Sequence, residues 1–142
     1  MAGRTVLQGG RAKAYRPLPK RQRDVALEHA LAAYERGDFF LAHELLEPAW
    51  MGTRNQAERE LHQGLIKLAA AYVHGVRGNP AGIAKNLAGA RDRLATADRL
   101  GGQDGGLDLP ALIAAIDTRL RSLEQPGAQV AADPPALPRR SR

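Results

Sequence analysis

The residues able to do chemistry cluster in Asp38-Phe39-Phe40-Leu41-Ala42-His43-Glu44-Leu45-Leu46-Glu47-Pro48-Ala49-Trp50. On a helix with Phe39 at 0°, a step of roughly 100° per residue puts Trp50 near ~20°, His43 near ~40°, Glu47 near ~80° and Glu44 near ~140°. His43 and Glu47 are therefore predicted on the apolar side, and Glu44 nearer the rim. An imidazole and a carboxylate one helical turn apart can hold one cation between them. A third ligand is available in His62, which falls inside the apolar arc of a later helix, between Ala69 and Val73. Two imidazoles and a carboxylate suit zinc, iron or manganese. His43, Glu47 and His62 are thus the candidate set for a divalent transition metal, with His74 as the alternative third ligand. Glu44 would then stand where a base activates water in a metal-dependent hydrolase.

Two other readings compete with the metal. A buried His43–Glu47 hydrogen bond under Trp50 would fix packing rather than perform chemistry. A groove around His43, Glu47 and Trp50 would take a partner protein or a small ligand. The chain has no cysteine, which removes thiol catalysis, disulfides and cysteine metal sites. Its two serines, Ser122 and Ser141, sit in no motif with an identifiable base, and there is no phosphate-binding glycine loop. Buried polarity without a catalytic set favours a non-enzymatic module that binds a partner or small ligand, with the hydrolase as the alternative.

These side chains need helices to position them, and the 142 residues fit one domain. Five helices are predicted from apolar periodicity. The first covers 24–36 and ends at Gly37. The second runs from Phe39, capped by Asp38, to about Met51, with Pro48 disturbing its last turn. The third covers about 56–77 and carries the seam Leu61, Leu65, Leu68 and Tyr72. The fourth, about 80–100, has the narrow seam Ile83, Leu87, Ala90, Leu94 and Ala97, and Gly82 and Gly89 permit close backbone approach. The fifth starts near Asp108 and turns Leu109, Leu112, Ile113, Ile116, Leu120 and Leu123 to one side. No stretch reads as a strand. Short connections make helical neighbours antiparallel, so the predicted fold is all-α, a compact bundle of about five helices over 24–125.

Charge separates the ends from the middle. Residues 1–23 hold seven Lys or Arg and no acid, and 126–142 hold three arginines against Asp133. The net charge of +6 is therefore a mildly acidic middle between basic ends. Both ends are rich in Gly or Pro and lack periodicity, so 1–23 and 126–142 are expected to be disordered basic tails. Such tails could associate weakly with nucleic acid through counterion release. The first twenty residues carry no apolar run of a secretion signal, and no run approaches a membrane span, so a cytoplasmic location is expected.

Over roughly 25–100 the sequence resembles domain-of-unknown-function family 309, small helical proteins found mostly in bacteria. The resemblance rests on Gly37-Asp38-Phe39, on His43-Glu44-Leu45-Leu46-Glu47 with Trp50, on Gln63-Gly64-Leu65-Ile66 with Ala69-Ala70-Ala71 and His74, and on Gly78-Asn79 with Gly82. It implies a compact all-α cytoplasmic protein and no particular activity. Its recurrent polar positions fall on His43, Glu44, Glu47, Gln63 and His74, which with Trp50 make up the expected groove. His62 is not among them, and Pro48 departs from the helix-friendly residue expected there.

Overall fold

The computed structural model of the protein describes residues 5–8, 11–76, 79–125 and 133–140. Five helices form its body: α1 (Lys20–Glu35), α2 (Phe39–Met51), α3 (Gln56–Val76), α4 (Pro80–Leu100) and α5 (Leu109–Leu123). Each packs chiefly on its neighbours in the chain, and the α3–α4 contact is the most extensive.

The helix ends follow from local chemistry. Gly37, at φ 84°, takes the left-handed conformation that stops α1 without a side-chain penalty. Asp38 then caps α2, its Oδ1 accepting from the Leu41 amide at 3.2 Å. Asn55, Asn79 and Asp108 do the same for α3, α4 and α5, accepting at 2.9, 3.1 and 3.0 Å from amides three residues on. Each such cap is worth about 1 kcal/mol. Pro48 leaves α2 unbroken as far as Met51.

The predicted seams form the core. Leu61, Leu65, Leu68 and Tyr72 of α3 are buried against Ile83, Leu87, Ala90, Leu94 and Ala97 of α4, with Leu109, Leu112 and Ile116 of α5 in the same cluster. Gly64 lets these helices close up: a Cβ there would lie 2.8 Å or less from two Leu94 side-chain carbons and 3.2 Å from the Leu94 backbone nitrogen. Gly82 and Gly89 accept the side chains of His74 and Lys67 in the same manner.

The ends of the chain depart from the expectation of disordered tails. Strands β1 (Thr5–Gln8) and β2 (Arg11–Ala14) pair antiparallel, with Thr5 opposite Ala14 and Gln8 opposite Arg11. Gly9-Gly10 between two short runs is a hairpin signal as well as a flexible one. The next residues run along the end of α2, where the Arg16 amide donates to the Met51 carbonyl at 3.0 Å and the Leu18 amide to the Gly52 carbonyl at 3.1 Å. Helix α1 begins at Lys20 rather than residue 24. The charged run Lys20–Arg23 hides this extra turn, because it carries no apolar period. At the other end, residues 133–140 lie on the helical body, with Pro135 and Leu137 buried. Two anchors in an extended segment leave no periodicity to detect. Residues 1–4, 9, 10, 126–132, 141 and 142 of the expected tails lie outside the described residues.

Candidate functional site

On α2 the expected polar residues meet, but at the water boundary. His43 Nδ1 lies 3.3 Å from Glu44 Oε1 and 3.8 Å from Glu47 Oε2. One ligand atom from each of the three lies within 4.8 Å of the others. Their side chains are 29%, 55% and 36% exposed for His43, Glu44 and Glu47. The expectation that His43 and Glu47 are buried among hydrocarbon is thus corrected. Helix α2 buries Ala42, Leu46, Ala49 and Trp50. The middle of that arc is about 75° from His43 and about 115° from Glu47 at 3.6 residues per turn. Phe39 and Trp50, taken as the centre of the apolar side, mark only its near edge. Phe40, 60% exposed, belongs to the same outer stripe, one turn from His43 and Glu44, and Leu41 is exposed beside it.

His62 belongs to a different group. It is 1% exposed, on the buried side of α3, and it is not among the ligands that converge at His43. The set His43, Glu47 and His62 is therefore not assembled. One turn before His62 on α3, Glu58 accepts from Arg23 Nε at 2.6 Å and Nη2 at 3.1 Å, and from the Thr53 hydroxyl at 3.1 Å. The third Arg23 nitrogen, Nη1, donates to the Leu18 carbonyl. This ties the start of α1 and the chain entering it to the start of α3. Burial is the main cause that pushes His62 down to about 4, with the Arg23 and Arg59 charges acting in the same direction. The ring is consequently neutral at pH 7, and its Nδ1 has no hydrogen-bond partner among the described residues.

Trp50 is buried rather than lining a groove. The Arg59 guanidinium covers its ring at 5.0 Å from the centroid and donates to the Trp50 and Thr53 carbonyls at 3.0 and 3.2 Å. The indole N–H has no acceptor among the described residues. His74 Nδ1 lies 3.3 Å from the Asn79 side-chain nitrogen, so His74 braces the turn between α3 and α4. Gln63 is half-buried on α3. Eleven residues of helix separate Gln63 from His74, about 16 Å along the axis, so the two serve no common site. The groove expected from His43, Glu44, Glu47, Trp50, Gln63 and His74 resolves into the α2 cluster, a sealed tryptophan and a braced turn.

The Arg23–Glu58 pair was not anticipated. Asn55 and Glu58 do have the cap-to-third-residue spacing of a helix start, which marks Glu58 as a positioned carboxylate. Its partner lay in a segment expected to be disordered.

The geometry defines a helical bundle with one polar cluster at the surface of α2 and another closed off at the start of α3. Residues 27–86 match the family model of the Domain of unknown function (DUF309). A stretch of 54 residues is 39% identical to an uncharacterized protein of Aquifex aeolicus (strain VF5), covering 38% of this chain and 16% of that protein. No solved structure matches. The matched segment contains the α2 cluster, Glu58 and His62, and excludes Arg23 and the C-terminal segment.

Proposed function

We propose that the DUF309 segment is a non-enzymatic binding module whose working surface is the outer face of α2, and that its partner is a protein. The observation that carries this reading is the exposed stripe of Phe40, His43, Glu44 and Glu47, an aromatic ring set among three polar groups on a convex helix. An aromatic anchor ringed by polar side chains is the usual composition of a protein-binding spot. A small molecule needs a concave site instead. The buried Trp50 and the braced His74 take no part. The basic ends support nucleic-acid association less than their charge suggests, because Arg139 lies 3.3 Å from Glu35 and Arg140 lies 2.9 Å from Asp104. Among the described residues no helix is long and apolar enough to cross a membrane.

The test is quantitative capture from the source cells on the full chain, on Phe40→Ser and on His43→Ala. The reading expects a captured protein to be lost from both variants while the melting temperature stays within a few degrees. Undiminished capture together with a lowered melting temperature would show the stripe to be structural.

A second reading rests on the 4.8 Å convergence of His43, Glu44 and Glu47, which is close enough for one divalent transition metal. Glu44 would then be a ligand rather than the water-activating base. Calorimetric titration of zinc or manganese into the tag-free chain and into His43→Ala decides it. Stoichiometric binding lost in the variant supports a metal site, and equal weak heats in both remove it.

A further inference from the structure

Residues 133–140, Asp-Pro-Pro-Ala-Leu-Pro-Arg-Arg, lie on the helical body as a bound peptide would. Pro135 and Leu137 are buried, while Pro134 and Ala136 are exposed and border an open cavity, the two-residue alternation of an extended chain. The main chain is held at four points. The buried Tyr34 hydroxyl donates to the Pro135 carbonyl at 2.8 Å, and Arg119 Nε to the Asp133 carbonyl at 2.8 Å. The Asp108 amide donates to the Pro138 carbonyl, and the Arg140 amide to the Gly106 carbonyl, each at 2.8 Å. Leu107 and Arg139 thereby form an antiparallel bridge, a single rung of strand addition. Charge fixes the direction: Arg139 faces Glu35 and Glu28, and Arg140 faces Asp104.

The wall beneath is aromatic. Tyr34 and Phe39 meet edge to face at 5.2 Å, and Phe39 meets Tyr72 at 5.6 Å. Proline-rich chains are recognised on surfaces of this kind, because they reach the binding conformation with little loss of entropy. The tail does not fill its groove. A cavity of about 440 Å³ remains between residues 134–137 and the corner formed by Tyr34, Glu35, Arg36, Gly37 and Phe39.

We propose that this groove is a peptide-recognition site for extended Pro-Pro-x-Leu-Pro-Arg segments, that residues 133–140 are its resident occupant, and that a partner protein's segment of the same chemistry displaces them. Tethering gives the resident tail a high effective concentration, so a competitor must make more contacts than the tail does. The unfilled cavity beside Ala136 is where it makes them, with a larger apolar side chain at that place.

The experiment follows anisotropy of a labelled peptide with the sequence of residues 131–142, added to the full chain and to full-length Leu137→Asp, whose own tail cannot seat. The variant is expected to bind saturably, and the wild-type chain at least tenfold more weakly because its tail competes. Adding Tyr34→Phe to the variant is expected to weaken binding several-fold. A peptide with phenylalanine at the place of Ala136 is expected to bind more tightly than the native one. Absence of saturable binding to a variant with wild-type helical circular dichroism overturns the proposal, as does equal binding by the two chains. Equal or weaker binding of the phenylalanine peptide overturns the role of the cavity. A wild-type dimer held together by exchanged tails would make a second copy the occupant and overturn the partner assignment. Should Leu137→Asp fail to fold, amide exchange on the wild-type chain decides: Asp108 and Arg140 must exchange at least a hundredfold faster than the α3–α4 core, and equal protection refutes a displaceable tail.

Discussion

The α2 cluster and the Glu58 cluster contain the same chemistry in opposite surroundings. On α2, an imidazole and two carboxylates share water. At the start of α3, an imidazole and a carboxylate are closed off beneath Arg23, with Trp50 and Arg59 nearby. In the first case polar groups lose little hydration, so they are free to serve a partner at small cost to the fold. In the second, every polar atom without a partner weakens the fold, so the group acts as a structural lock between α1 and α3. Residue type alone does not separate a working surface from a lock; access to water does.

Breaking the lock has the largest expected effect. Glu58→Ala leaves the nearly buried Arg23 without its carboxylate and is expected to cost about 3–5 kcal/mol, read as a fall in the denaturant midpoint. A loss near zero would erase the distinction between the two clusters. The next effect is pH dependence. Unfolded His62 takes up a proton near its ordinary 6.5, and folded His62 only near 4. Between these values the unfolded chain binds more protons, so the contribution of neutral His62 is complete above pH 6.5 and is lost as pH falls toward 4. That loss is on the order of 3 kcal/mol, and comparing wild type with His62→Leu across the window isolates it from the titration of the carboxylates. Identical pH slopes in the two proteins would contradict it. Arg59→Ala removes the cation over Trp50 and two bonds to carbonyls, with an expected loss of about 1–2 kcal/mol in the same melts. The smallest effect belongs to α2: His43→Ala and Glu47→Ala are each expected to change stability by less than about 0.5 kcal/mol. A loss comparable to that of Glu58→Ala would make α2 a second lock.

The five helices were legible because their buried faces repeat. The α4 seam was read residue for residue, and His62 was correctly assigned to the apolar arc of α3, since α3 is wrapped over a wide angle and errors of phase matter little there. Helix α2 is buried along one narrow side, so a phase error of some tens of degrees moved His43 and Glu47 from the rim to the interior. The Arg23–Glu58 pair and the seated tail were not legible for a common reason. Both join residues far apart in the chain through one or two side chains, which leaves no period to count.

Gly64 sets how much change the oldest-fashioned part of such a bundle, two helices side by side, can absorb. With the Leu94 backbone nitrogen 3.2 Å from where a Cβ would sit, even alanine must spread the pair. Helix α4 carries α5, and the loop behind it holds the rungs on which residues 138–140 rest. A single added methyl group on α3 therefore presses on the helix that leads, through that loop, to the contacts holding residues 138–140.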